Sequence, residues 1–233
     1  MKIGGLQKLT LIDFPGKLAC TVFLVGCNFR CPFCYSGELV MPEKIKGHPI
    51  IPEKDFLGFL KKKKGLLEAV VICGGEPCIN DDLPEFCGKI KKMGFLVKLD
   101  TNGSKPEMLQ NLIKEKLIDY VAMDVKNSFG NQKYDKATGM KIFLGKVKKS
   151  VEIIKNSGID YEFRTTVVPT IHSEEDIIEL AKALSPAKKY YLQNFRPEKT
   201  IDPAFEKIKP YPQEFLLKIQ KEISPFFEVC QVR

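Results

Sequence analysis

The chain has 233 residues, 44% of them apolar, and a formal net charge of +8. Such a length suits one large α/β domain, and that apolar share is enough to fill its core. No apolar run reaches the length of a membrane span, Met1 to Gly5 lacks the apolar centre of a signal peptide, and the lysines are scattered rather than gathered on one stripe. The expectation is therefore a cytoplasmic protein that binds neither membrane nor nucleic acid.

Periodicity predicts strands and helices in alternation. Leu18 to Val25 reads as an apolar strand, and Pro52 to Lys62 as a helix with Phe56, Phe59 and Leu60 on one face. The basic run Lys61 to Lys64 falls at the end of that helix, where cations complement the helix dipole. Ala69 to Cys73 is a second strand, followed by a helix over about Asp82 to Lys92. Phe95 to Leu99 is a third, and its helix, Pro106 to Glu115, places proline at the first helical position.

Tyr120 to Val125 is a fourth strand. Asn127 to Lys141 is the longest irregular stretch, a loop or a mobile lid, and Val147, Val151 and Ile154 then mark a helix. Tyr161 to Val168 is a fifth strand. Ser173-Glu174-Glu175-Asp176 has the pattern of a capping box opening a helix that ends near Leu184. Lys189 to Phe195 is a sixth strand, Pro212 to Ile223 a closing helix, and Phe226 to Val232 a last strand.

Six such units imply a parallel sheet with outer helices, because parallel strands need crossover connections. Eight units do not fit the length. The expected fold is an α/β, partial (β/α)6 barrel forming a single domain over residues 1–233, with the C-terminal helix and strand in 210–233.

In such barrels chemistry collects at the C-terminal ends of the strands. Those ends read Gly26 to Tyr35, Gly74-Gly75-Glu76-Pro77, Asp100-Thr101-Asn102-Gly103, Asp124-Val125-Lys126, Arg164 and Asn194-Phe195-Arg196. Only four of the 37 basic residues are arginine, yet Arg30, Arg164 and Arg196 lie in or beside these ends. A rigid guanidinium fork is useful where a carboxylate or ribose must be oriented.

Eight cysteines without a secretory signal point to metal or redox chemistry rather than disulfides. Three follow the spacing Cys27-x3-Cys31-x2-Cys34, while Cys20, Cys73, Cys78, Cys87 and Cys230 are dispersed and read as small buried residues. A structural zinc ion takes four protein ligands, and no fourth cysteine lies nearby. His48 and His172 are isolated and read as ordinary loop histidines. Three thiolates on a 4Fe–4S cluster leave one iron open to a chelating small molecule.

The cysteine spacing after the first strand, with Gly74-Gly75-Glu76-Pro77 after the second, resembles the radical S-adenosylmethionine superfamily over about residues 17–196. Asp13-Phe14-Pro15-Gly16-Lys17, the Asp100 to Gly103 turn and Met123 to Lys126 are similar to its glycyl-radical-enzyme activases. Phe163 to Pro169 and Leu192 to Pro197 are similar to the activating proteins of anaerobic ribonucleoside-triphosphate reductase.

The resemblance implies a 4Fe–4S cluster on Cys27, Cys31 and Cys34 that reductively cleaves S-adenosylmethionine to methionine and a 5′-deoxyadenosyl radical. It implies that Phe33 and Tyr35 border the adenine, that Gly74 and Gly75 admit the methionine moiety, and that Glu76 meets its amino group. Asp124, Val125, Lys126, Arg164 and Arg196 would hold the carboxylate and ribose side. Asp100, Thr101, Ala122 and Asp124 would form a monovalent-cation site. The implied partners are a glycyl-radical enzyme as protein substrate and a low-potential electron donor such as flavodoxin or ferredoxin. A histidine common after the third cysteine in related activases is here Tyr35, and a common threonine is Cys78. Two other readings compete: a radical enzyme with a small-molecule substrate, and a non-catalytic iron–sulfur electron carrier. Gly74 to Glu76 and Asp124 to Lys126 speak against the carrier, which needs no cofactor cradle.

Overall fold

In the computed structural model, which describes residues 1–233, runs rich in Val, Ile, Leu and Tyr form one eight-stranded sheet in chain order. Its strands are β1 (Ile3–Thr10), β2 (Ala19–Leu24), β3 (Ala69–Gly74), β4 (Leu96–Thr101), β5 (Tyr120–Asp124), β6 (Asp160–Val167), β7 (Ala187–Asn194) and β8 (Phe227–Val232). From β2 to β8 every neighbouring pair is parallel. β1 and β8 are the two edges, so the sheet curls without closing.

Helices make the crossovers: α1 (Gly37–Val40), α2 (Pro42–Ile45), α3 (Glu53–Lys62), α4 (Leu83–Lys92), α5 (Pro106–Lys114), α6 (Asn131–Thr138), α7 (Leu144–Lys155), α8 (Glu174–Leu184) and α9 (Gln213–Ile223). The capping box forms as its residues predict: the Ser173 hydroxyl accepts from the Asp176 N–H, and the Asp176 carboxylate from the Ser173 N–H. No helix is long and apolar enough to cross a membrane.

The two faces of the sheet are unequal. A continuous cluster of 49 buried residues takes in Val70 and Ile72 on β3, Val121 and Met123 on β5, and the inner faces of the helices. The inward face has only Phe14, Ala19, Ala69, Val71 and Tyr120 as its buried apolar cluster. Burial behind the sheet thus supplies most of the folding energy, and the concave side is free for polar chemistry.

Two expectations need correction. No strand was expected before residue 17, yet β1 pairs antiparallel with β2. Its two glycines, exposed Gln7 and Lys8 and two register irregularities blur the period-two pattern. Residues 127–141 are not a bare loop, since α6 lies within them. Its sequence, NQKYDKAT, is polar, and Tyr134 and Ala137, three apart, are the apolar residues it buries.

Candidate active site

The cysteine segment leaves β2 at Gly26 and is tied down by its own backbone. The Arg30 guanidinium donates to the carbonyls of Cys27 at 2.6 Å and Phe29 at 2.7 Å. The Arg30 N–H donates to the Thr138 carbonyl at the end of α6, and the Ile201 N–H to the Cys34 carbonyl. Arg30 therefore shapes the loop rather than reaching for a ligand. Cys27, Cys31 and Cys34 all line one cavity of about 1090 Å³ at the C-terminal ends of the strands. Burial pushes the Cys27 thiol up to about 11 and the Cys31 thiol up to about 12, and raises that of Cys34.

Beside this loop the end of β3 is stitched to the end of β4. Glu76 is almost wholly buried and accepts from the Cys78 N–H, the Thr101 hydroxyl and the Asn102 N–H at 2.9, 2.7 and 2.6 Å. Burial raises its carboxyl above the ordinary value, and these three donors oppose that rise. The stitching continues to the cysteines: Asn102 Nδ2 donates to Asn28 Oδ1 at 3.0 Å, and Asn28 Nδ2 to Ser104 Oγ at 2.8 Å. Gly74 and Gly75 line the cavity, but a Cβ on either would collide with backbone, of Leu24 or of Gly26 respectively. Close approach of the β2 and β3 ends therefore requires both glycines.

Across the mouth lies a ladder of charge. The register sets Asp100 beside Ala122 and Asp124 beside Arg164. Arg164 bridges the two carboxylates, with Nη1 2.9 Å from Asp100 Oδ2 and Nε 2.8 Å from Asp124 Oδ1. Lys98 Nζ meets Asp100 Oδ1 at 2.8 Å, and Lys126 Nζ meets Asp124 Oδ2 at 3.3 Å. Burial drives the Asp124 carboxyl up, but Arg164 and Lys126 outweigh it and hold it well below the usual carboxylate range. Every carboxylate oxygen of the pair faces a side-chain cation.

The opposite wall is aromatic. Phe33 is buried, and Tyr35 stacks on Phe195 with ring centroids 6.4 Å apart. The Arg196 N–H donates to the Tyr35 hydroxyl at 2.7 Å, which joins the cysteine loop to the end of β7. Asp100, Thr101, Asp124, Lys126, Arg164 and Arg196 all lie on the cavity wall. Val125 and Ala122 do not. Val125 is buried, its N–H donating to the Arg164 carbonyl and its carbonyl accepting from the Thr165 hydroxyl, and Ala122 is buried within β5.

Sequence reasoning missed several participants. Lys98 sits two residues before Asp100, on the same strand face, and Arg233 reaches the cavity from beyond β8. Cys73 also lines the cavity, and burial pushes its thiol up to about 12. His172 is buried, with Nδ1 accepting from the Val168 N–H at 2.9 Å and Nε2 2.7 Å from the Lys126 carbonyl oxygen, so it steadies the cradle from behind. Alternation would have flagged Lys98. Nothing local marks Arg233 or His172.

The donor set fits an iron–sulfur cluster. Thiolates are the ligands such clusters use, and Cys27, Cys31 and Cys34 bring three to one cavity wall. The balanced carboxylates, guanidinium and amine of the ladder suit a zwitterionic amino-acid moiety, and the Tyr35–Phe195 wall suits a flat base.

Known proteins resemble this chain in sequence and in fold. The sequence pattern of the Radical SAM superfamily matches residues 21–184. A Methanocaldococcus jannaschii protein named "Putative glycyl-radical enzyme activating enzyme MJ1227" is 37% identical over 218 residues, covering 91% of this chain and 87% of that one. The GTP 3′,8-cyclase of Aquifex aeolicus is 26% identical over 168 residues, 67% of this chain and 49% of that one. The crystal structure of Streptococcus suis SuiB bound to S-adenosylmethionine matches in fold with a TM-score of 0.68 and 18% identity, covering 91% of this chain. This chain spans about half of SuiB, 51% of its length.

Proposed function

The chain belongs to the radical SAM superfamily, and from that membership we propose that it is a cytoplasmic glycyl-radical-enzyme activating enzyme. Cys27, Cys31 and Cys34, as thiolates, hold the 4Fe–4S cluster. When bound, the cluster supplies one electron, delivered by a flavodoxin or ferredoxin, and S-adenosylmethionine supplies the radical that takes a hydrogen atom from a glycine Cα of the partner.

The protein's own residues orient and shield. Asp124, Lys126 and Arg164 hold the amino-acid end and ribose of the cofactor, with Arg196 at the rim. Phe33 and Tyr35 flank its adenine and keep water from that side. Glu76, fixed by three donors, keeps its remaining lone pair for the cofactor amine. The unclosed sheet leaves a lumen into which a partner loop can enter, completing the enclosure that a reactive radical requires.

The observation that carries the activase reading is the 37% identity with the M. jannaschii protein over nearly the whole of both chains. The cyclase relative favours a second reading, a radical enzyme for a small molecule. Reduced enzyme, S-adenosylmethionine and the glycyl-radical enzyme encoded in the same genome, mixed without oxygen, distinguish the two. The expected electron paramagnetic resonance signal is a doublet from the glycine α-hydrogen, lost when that glycine is replaced by alanine. No radical on the partner, alongside turnover of a small molecule, transfers the assignment to the second reading.

A further inference from the structure

Cofactor binding leaves Glu162 and Arg233 unexplained. Glu162 lies on β6 two residues before Arg164 and so shares its inward face. It is wholly buried, yet it accepts from Nη1 and Nη2 of Arg233 at 3.2 and 3.4 Å and from the Tyr120 hydroxyl at 3.0 Å. Arg164 Nη1 stands 3.8 Å away. The Arg233 guanidinium lies over the Tyr191 ring, 3.4 Å from its centroid, and its side chain is 36% exposed as part of the cavity wall.

A buried ion pair is a poor device for stability, since apolar residues of the same volume do as well or better. What the pair does here is hold a flat, charged donor at the lumen wall. Glu162 takes the two Nη groups and Tyr191 takes one face. The remaining N–H groups have no protein acceptor, and a guanidinium carries five.

The charge balance of the wall indicates what those groups meet. Lys98 faces Asp100, Arg164 faces both aspartates, Lys126 faces Asp124 and Arg233 faces Glu162. A nucleoside triphosphate finds no uncompensated cation inside, only Arg196 at the rim, where Lys199 is paired with Glu38. A neutral peptide backbone, rich in carbonyl acceptors, suits such a wall.

We infer that Arg233 is a substrate-contact residue, seated on Tyr191 and fixed by Glu162, that donates to a backbone carbonyl of the glycine-bearing segment of the partner. The inference rests on the activating-enzyme reading.

The test uses Arg233→Met, Glu162→Gln, the double variant and Arg233→Lys. KM for the partner comes from initial rates of glycyl-radical formation, cofactor affinity from equilibrium dialysis, and stability from thermal unfolding. Arg233→Met is expected to raise KM at least tenfold, with the S-adenosylmethionine Kd within twofold of wild type. It also leaves Glu162 unpaired and lowers Tm. Glu162→Gln in the same chain restores Tm but leaves KM high, and Arg233→Lys falls between Met and wild type. An unchanged KM in Arg233→Met overturns the inference. So does a double variant whose KM returns to normal, because Arg233 then merely neutralises Glu162. If wild-type enzyme puts no radical on the partner, the activating reading fails first and takes this inference with it.

Discussion

His172 shows how a residue outside the cavity governs one within it. Its neutral ring, with the proton on Nε2, satisfies the Lys126 carbonyl and the Val168 N–H together. Burial lowers its pKa below the ordinary 6.5. The folded protein therefore binds this proton less readily than the unfolded chain, and stability falls as pH drops below about 6.5 toward the folded value. Denaturant unfolding at pH 7.5 and 5.5 is expected to show that loss, at up to about 1.4 kcal/mol per pH unit over the window, and His172→Gln to lack this component. A wild-type protein as stable at the lower pH as at the higher contradicts the neutral-ring assignment. The sequence showed this histidine only as an isolated one, because its partners are backbone groups that the fold alone brings to it. The cysteines were legible because three ligands within eight residues carry their geometry in their spacing.

Among the elements, α6 does the least expected work. It ends at Gly139 with φ +66°, and a Cβ there would collide with the Arg30 carbonyl, next to Cys31 in the cysteine loop. Gly139→Ala is expected to cost about 1–2 kcal/mol through left-handed strain and to displace the cysteine loop. Iron and sulfide per chain should then fall well below wild type, with the circular dichroism spectrum unchanged. Gly158→Ala is the control, since Gly158 has φ +76° with open space around it. It should show the strain but keep the iron, and equal iron content in the two variants would separate α6 from the cluster. The parallel strands were readable because β2, β3 and β5 are near-continuous apolar runs. β1 and α6 were not, because an irregular edge strand and a polar cover carry little periodic signal.

At the scale of the molecule, the architecture divides labour between the two faces of one sheet. Apolar residues behind it hold the fold, and charged residues on the concave side cancel one another in pairs. That cancellation was hidden in the sequence, since Glu162 and Arg233 are 71 residues apart and only the curl of the sheet unites them. The net charge of +8 accordingly reflects surface lysines rather than an anion-binding lumen. The central claim is that Cys27, Cys31 and Cys34 hold the cluster that cleaves S-adenosylmethionine. Its most direct test is chromatography of products from anaerobically reconstituted, reduced protein beside a variant with all three cysteines replaced by alanine. Wild type is expected to bind one 4Fe–4S cluster and release 5′-deoxyadenosine and methionine, and the variant to do neither. A variant that still forms 5′-deoxyadenosine, or a wild-type protein that binds no cluster, contradicts the account.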